Sequence, residues 1–167
     1  FTLKSIYPDM NVYGVDFSLM MQKIQQDLAK VGITVELSPV PFANWREAAN
    51  GDHIPLTAVF FAPDFFGTSQ YVDVFGLSEG SVWAKRAGGE IDPSIINPQT
   101  GKLREQALAA ATQEEAEKLW FEAGEQMAKA RIIIPMVSPD LILAHSPSVK
   151  GVRYSACCNL PLAEISN

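Results

Sequence analysis

Ile24-Gln25-Gln26-Asp27-Leu28-Ala29-Lys30-Val31-Gly32-Ile33-Thr34-Val35-Glu36-Leu37 changes its hydrophobic period across one glycine, and that change decides the fold class. On the N-terminal side, Phe17, Met20, Met21, Ile24, Leu28 and Val31 recur at helical spacing, with Gln22, Lys23, Gln25, Gln26 and Asp27 on the other face. The pattern predicts a long helix over Tyr13–Val31. Gly32 is a natural stop, because glycine enters the left-handed conformation that closes a helix at no Cβ penalty. On the C-terminal side Ile33 to Leu37 alternates strictly, the period of a half-buried strand. A helix feeding directly into a strand is the repeating unit of an α/β domain.

Upstream, Leu3–Tyr7 is a short apolar strand closed by Pro8-Asp9. Downstream, Pro39 and Pro41 interrupt the Ile33 strand, and Phe42 to Ala49 forms a short helix ending at Asn50-Gly51-Asp52. Leu56 to Ala62 is a continuous apolar run, as expected of a central strand covered on both faces. Thr68 to Glu90 is partly helical with a glycine-rich loop end, Ile91 to Gly101 is loop, and Lys102 to Ala111 is helix. Thr112-Gln113-Glu114-Glu115 is a capping box opening a helix whose Ala116, Leu119, Trp120, Ala123, Met127 and Ala130 share one face. Ile132–Val137 and Leu141–His145 read as strands, and Val149–Val152 as a turn into a last extended segment. The expected architecture is one α/β unit over residues 1–167, a mixed central sheet flanked by helices, with Trp45 and Trp120 in the core.

At 167 residues the chain is one domain's worth and buries enough surface to need no staples. Thirteen basic against nineteen acidic residues give a net charge of −6, which argues against a nucleic-acid or anionic-membrane partner. No apolar run approaches the ~20 residues of a membrane span, and no basic-then-apolar leader is present. The chain opens on a strand at Phe1, the expectation for a piece of something longer.

Support for catalysis is poor. His53 lies in a polar turn beside Asp52, His145 closes an apolar strand beside Ser146, and neither has a nucleophile-elbow context. No zinc-type spacing joins His145 to Cys157 and Cys158, so no metal is expected. The absence of a Walker A loop and of G-x-G-x-x-G removes the expectation of a nucleotide cofactor. The adjacent cysteines are either two small strand residues or a strained vicinal disulfide. The segment Phe60-Phe61-Ala62-Pro63-Asp64-Phe65-Phe66-Gly67 places four phenylalanines and a carboxylate where an apolar strand ends. Ligands of open α/β sheets bind at that end of the strands, and a carboxylate among aromatic walls recognises a cation or ammonium. The same segment also reads as core phenylalanines followed by a turn-forming Asp64. Lys85 and Arg86, in a loop after Trp83, either hold a ligand carboxylate through the arginine fork or are solvated charges.

The order of these pieces resembles a known family. Ile24 to Val35 is followed by Phe42-x-x-Trp45 running into Gly51-Asp52, then an apolar strand into Pro63-Asp64-Phe65. Next come Glu115-Ala116-Glu117-Lys118-Leu119-Trp120, Ile134-Pro135 and Ser146-Pro147-Ser148-Val149-Lys150-Gly151-Val152. Together they resemble the C-terminal lobe of the peptide/nickel/opine-type extracellular solute-binding proteins (bacterial family 5) of ABC importers. The resemblance spans essentially the whole chain. It implies one lobe of a two-lobed, non-catalytic protein, periplasmic or tethered outside a monoderm cell. Such a protein closes over a solute and delivers it to the membrane permease. It also implies that the N-terminal partner lobe is missing from these residues. Asp64 stands at the position of an Asp that pairs with the ligand's α-amino group in peptide-binding members, and Phe61 replaces a common aromatic there; Phe65 flanks it. The family's frequent Pro-Asp-Tyr-Pro-Asp-Pro is here Pro63-Asp64-Phe65-Phe66-Gly67-Thr68, and its usual Asn-Pro near the end is Ser155-Ala156-Cys157-Cys158-Asn159, departures that point away from an ordinary dipeptide ligand. The alternative that the resemblance carries is the ligand-sensing domain of a regulator built on the same fold.

Overall fold

β1 (Thr2–Pro8) leads through a small antiparallel hairpin, β2 (Asn11–Val12) and β3 (Val15–Asp16), into α1 (Phe17–Ala29). The helix returns the chain to β4 (Thr34–Val40), which lies parallel to β1 from Thr2↔Thr34 to Pro8↔Val40. The structure, a computed structural model, describes residues 1–51, 53–62, 67–140, 142–154 and 160–167.

The helix begins four residues later than its hydrophobic period predicts. Tyr13 and Gly14 both take positive φ, 51° and 81°, the pairing that closes a tight hairpin with the twist of its strands. Asp16 then caps the helix, its Oδ1 accepting the Leu19 N–H at 2.9 Å. The helix stops before Gly32, and Val31, past its end, is exposed rather than on the apolar face. Phe17 and Met21 are buried with Tyr7, and Met20, Ile24, Leu37 and Leu56 pack around them.

β4 continues through Pro39, where an interruption was expected. Among the described residues β4 pairs only with β1, so an outer edge lacking an N–H loses no ladder bond. The third predicted strand is reduced to one parallel bridge, Ser5↔Leu56, on the other side of β1. The reason lies one residue further on. Thr57 Oγ1 donates to the Ile6 carbonyl at 2.7 Å, so a side chain takes the acceptor a continuing ladder would use, and residues 57–62 are irregular.

The remaining helices are α2 (Phe42–Gly51), α3 (Ser69–Phe75), α4 (Val82–Arg86), α5 (Pro98–Ala109) and α6 (Gln113–Ala130). α5 starts inside the predicted loop because Asn97 caps it, accepting the Gln99 N–H at 3.0 Å, and Pro98 supplies a pre-set first helical residue. The capping box is present at α6, with Thr112 Oγ1 accepting the Glu115 N–H at 3.2 Å. α5 and α6 pack on each other and on α3 through Leu103, Ala107, Trp120, Ala123 and Val72. An ion pair between Arg104 and Asp73 ties α5 to α3 and raises the arginine's pKa further. Trp45 and Trp120 are both buried, as expected.

The predicted strands Ile132–Val137 and Leu141–His145 are a correction. Their described residues form no ladder, and Ile134, Met136, Val137 and Ile142 are exposed. Their apolar composition has no strand beside it to pair with among the described residues. The chain ends with an antiparallel bridge, Lys150↔Ser166, and a bidentate Arg153–Glu164 pair with contacts of 2.7–3.0 Å. No helix among the described residues is long and apolar enough to cross a membrane.

Candidate functional site

β1 and β4 run in the same direction, so their carboxyl ends lie at one edge of the sheet, and the segment leaving the Leu56 bridge emerges there too. Two arms of aromatic contacts start from this segment. Phe60 meets Phe42 at 6.4 Å between ring centroids, and Phe42 meets Trp45 at 5.4 Å. On the other side Phe61 meets Tyr71 at 5.5 Å and Phe75 at 4.9 Å, both edge-on, and Phe75 meets Trp83 at 4.7 Å. Such pairs contribute about 0.5–1.5 kcal/mol each beyond their burial. Phe60 and Phe61 are chain neighbours, so the two arms start from one point.

Arg86 joins the arms at their far ends. Its guanidinium lies 4.7 Å from the Trp83 centroid and 5.7 Å from that of Trp45. The sequence places it there through two helices. Trp83 and Arg86 are three apart on α4, whose N-cap Ser81 accepts the Ala84 N–H at 3.1 Å. On α2, Trp45 and Ala49 turn inward, and Asn50 at the end of that helix accepts the Arg86 Nε–H at 3.0 Å. Trp45 is itself fixed, donating from Nε1 to Thr57 Oγ1 at 2.8 Å, and through that hydroxyl to β1. Burial pushes the Arg86 guanidinium below its ordinary pKa range, and the nearby charge of Arg46 acts in the same direction. The guanidinium remains a cation at any physiological pH.

Solved structures carry the same arrangement of elements. The ABC transporter-associated periplasmic binding protein DppA from Helicobacter pylori, in complex with the peptide STSA, superposes with a TM-score of 0.72 at 14% identity, over 98% of this chain and 30% of that one. NikA from Brucella suis, in complex with Fe(III)-EDTA, gives 0.71 at 12% identity over 99% and 32%. Haemophilus influenzae OppA, in complex with RPPGFSPFR, gives 0.69 at 18% identity over 98% and 30%. The chain has the fold of a solute-binding protein lobe. It spans about a third of the length of these structures. No family model and no curated protein matches the sequence.

The residues singled out from the sequence are distributed unevenly in this chain. Phe61 is half-buried in the aromatic chain, and Arg86 bridges it. Asp64 and Phe65, with Cys157 and Cys158, lie outside the described residues. Lys85 and Arg86 are in α4 rather than a loop, and they differ: Lys85 pairs with Glu90 at 3.4 Å, while no carboxylate pairs with Arg86 among the described residues. Phe42, Trp45, Tyr71, Phe75 and Trp83 were not read as site residues. The three-residue spacing of Trp83 and Arg86 was the signal available for one of them. His145 Nδ1 lies 3.0 Å from the carbonyl of Ser146, and His53 takes a positive φ of 48°. Among the described residues no cluster of His, Cys, Asp and Glu is placed to hold a metal.

Proposed function

We propose that residues 1–167 form the C-terminal lobe of a longer, two-lobed binding protein of an ABC importer. It captures a peptide or peptide-like small molecule and delivers it to the membrane permease, without catalysis. The protein is periplasmic, or extracellular and membrane-tethered. The observation that carries this reading is the match of 98–99% of the chain to peptide- and chelate-bound binding proteins. The aromatic chain at the carboxyl edge of the parallel strands supports it, since that edge is where open α/β sheets receive ligands. In this reading Phe61 and Phe65 are apolar walls, Asp64 meets a ligand ammonium and Arg86 a ligand anion. None of the compared proteins is described as a regulator, so the sensory alternative has no observation in its favour.

Thermal unfolding of the full natural protein with and without a panel of di- to pentapeptides tests the proposal. A ligand that binds only the folded state raises Tm by mass action, so at least one class of peptide should do so. Asp64→Asn should weaken that binding about 30-fold or more while leaving the ligand-free Tm nearly unchanged. A fall in stability with unchanged affinity would make Asp64 a turn-former only.

A further inference from the structure

We infer that the free edge of β4 is built to refuse a second copy of this chain, and that Gln25 and Pro39 do so by disabling one and the same hydrogen bond. The Thr34 N–H donates to the Phe1 carbonyl at 3.1 Å, and the Val40 carbonyl accepts the Asp9 N–H at 2.8 Å. Alternate residues of β4 therefore face β1, and those between them, Val35, Leu37 and Pro39, turn their backbone groups away from it. Among the described residues no strand lies on that side. An uncovered edge of this kind is a template for a strand of another chain. Here two of its groups are withdrawn. Gln25 reaches from α1 to the edge, and its side-chain Nε2–H donates to the Val35 carbonyl at 2.6 Å. Pro39 has no N–H to offer.

The two blocks coincide in the register a second copy would use. β4 runs from Thr34 to Val40, so Leu37 is its midpoint, and two copies laid antiparallel over their full length pair about that residue. Val35 of one copy then lies opposite Pro39 of the other, at a position where an antiparallel pair exchanges two hydrogen bonds. One of the two, from the residue-39 N–H to the Val35 carbonyl, is barred from both sides: the donor does not exist and the acceptor is taken. By symmetry the same bond is lost at each end of the pairing. Removing one block alone gains nothing. With Pro39 replaced, an incoming N–H only displaces the Gln25 amide from the Val35 carbonyl; with Gln25 truncated, that carbonyl still meets no donor. Gln25 falls on the polar side of the α1 sequence pattern, yet it is half-buried, with its amide on this edge.

The test compares the full natural protein with Gln25→Ala, Pro39→Val and the double variant, by sedimentation velocity over a concentration series and by hydrogen exchange of the Leu37 amide. The natural protein and both single variants should remain monomeric where the double variant is largely dimeric, a separation of about 10-fold or more in the dimer dissociation constant. The Leu37 amide should exchange freely in the natural protein and become protected in the double variant as its concentration rises. Should Gln25→Ala fail to fold, Gln25→Met keeps the side-chain stem, removes the amide and takes its place. A double variant that stays monomeric throughout overturns the inference. So does a single variant that dimerises as well as the double, because the two blocks would then act on different bonds. Dimers that leave Leu37 exchange unchanged would use another surface, and a Leu37 amide already protected in the natural protein would mean that the edge is covered; either result also overturns it.

Discussion

Two stretches of this chain, Leu3–Tyr7 and Ile132–Val137, both read as short strands in the sequence and end differently. The first has β4 on one side, the Leu56 bridge on the other and α1 over it, and Tyr7 is 2% exposed. The second forms no ladder among the described residues, and Ile134 and Val137 are 64% and 65% exposed. Apolar composition states which residues gain from leaving water. It does not supply the neighbouring strand whose N–H and C=O groups must complete the ladder. The chain spans about a third of the length of the solved structures that share its fold, and among the described residues no strand lies beside this stretch.

Substitutions at the two kinds of site sharpen the contrast. Trp120→Ala in the packed α5–α6 cluster should lower unfolding stability in urea by about 3–5 kcal/mol, the cost of emptying a core aromatic site. An effect below about 1 kcal/mol would mean that α6 is not held by this face. Thr112→Ala, which removes the α6 cap, should cost about 1 kcal/mol in the same assay and leave the slope of the transition unchanged. Ile142→Ser, in the exposed stretch, should change the stability of the 167-residue chain by no more than about 0.5 kcal/mol. If, as proposed, a second lobe accompanies this chain and covers the segment, the same change should cost more in the longer protein; equal small effects in both would mean that nothing covers it.

The smallest expected effect lies on the packed side, at the solvent-facing surface of α1. Asp27 accepts hydrogen bonds from Lys23 and Lys30 at 2.7 Å each, and these partners lower its pKa to about 2. A carboxyl depressed below its unfolded value of about 3.9 stabilises the fold above that value. The contribution is lost as the pH falls toward 2. Carbon-detected NMR should show Asp27 titrating at about 2, and Asp27→Asn should flatten the acid limb of the stability profile slightly. A carboxyl that titrates near pH 4 would show that the lysines are solvated instead.

Local rules made some elements legible and left others hidden. α6 could be read because its cap and its apolar face both lie within a continuous stretch, and β1 and β4 because their runs are short and bounded. The late start of α1 depended on Tyr13 accepting a positive φ, which nothing in a helical period reports. The loss of the Leu56–Ala62 strand depended on one hydroxyl reaching Ile6, fifty-one residues away in sequence. The candidate cluster of aromatic rings around Arg86 was legible in part for the same reason. Phe61 and Arg86 could be named from composition and fork chemistry, whereas Trp45 and Trp83 become neighbours of one guanidinium only when α2 and α4 pack.

Native mass spectrometry of the full natural protein, purified without added ligand and compared with the same sample after denaturation, tests solute capture most directly. Capture predicts a bound small molecule in near-stoichiometric amount, released on unfolding. A protein that is persistently empty, gains no mass with any peptide offered and instead acquires a covalent label from a broad serine-reactive probe would contradict it.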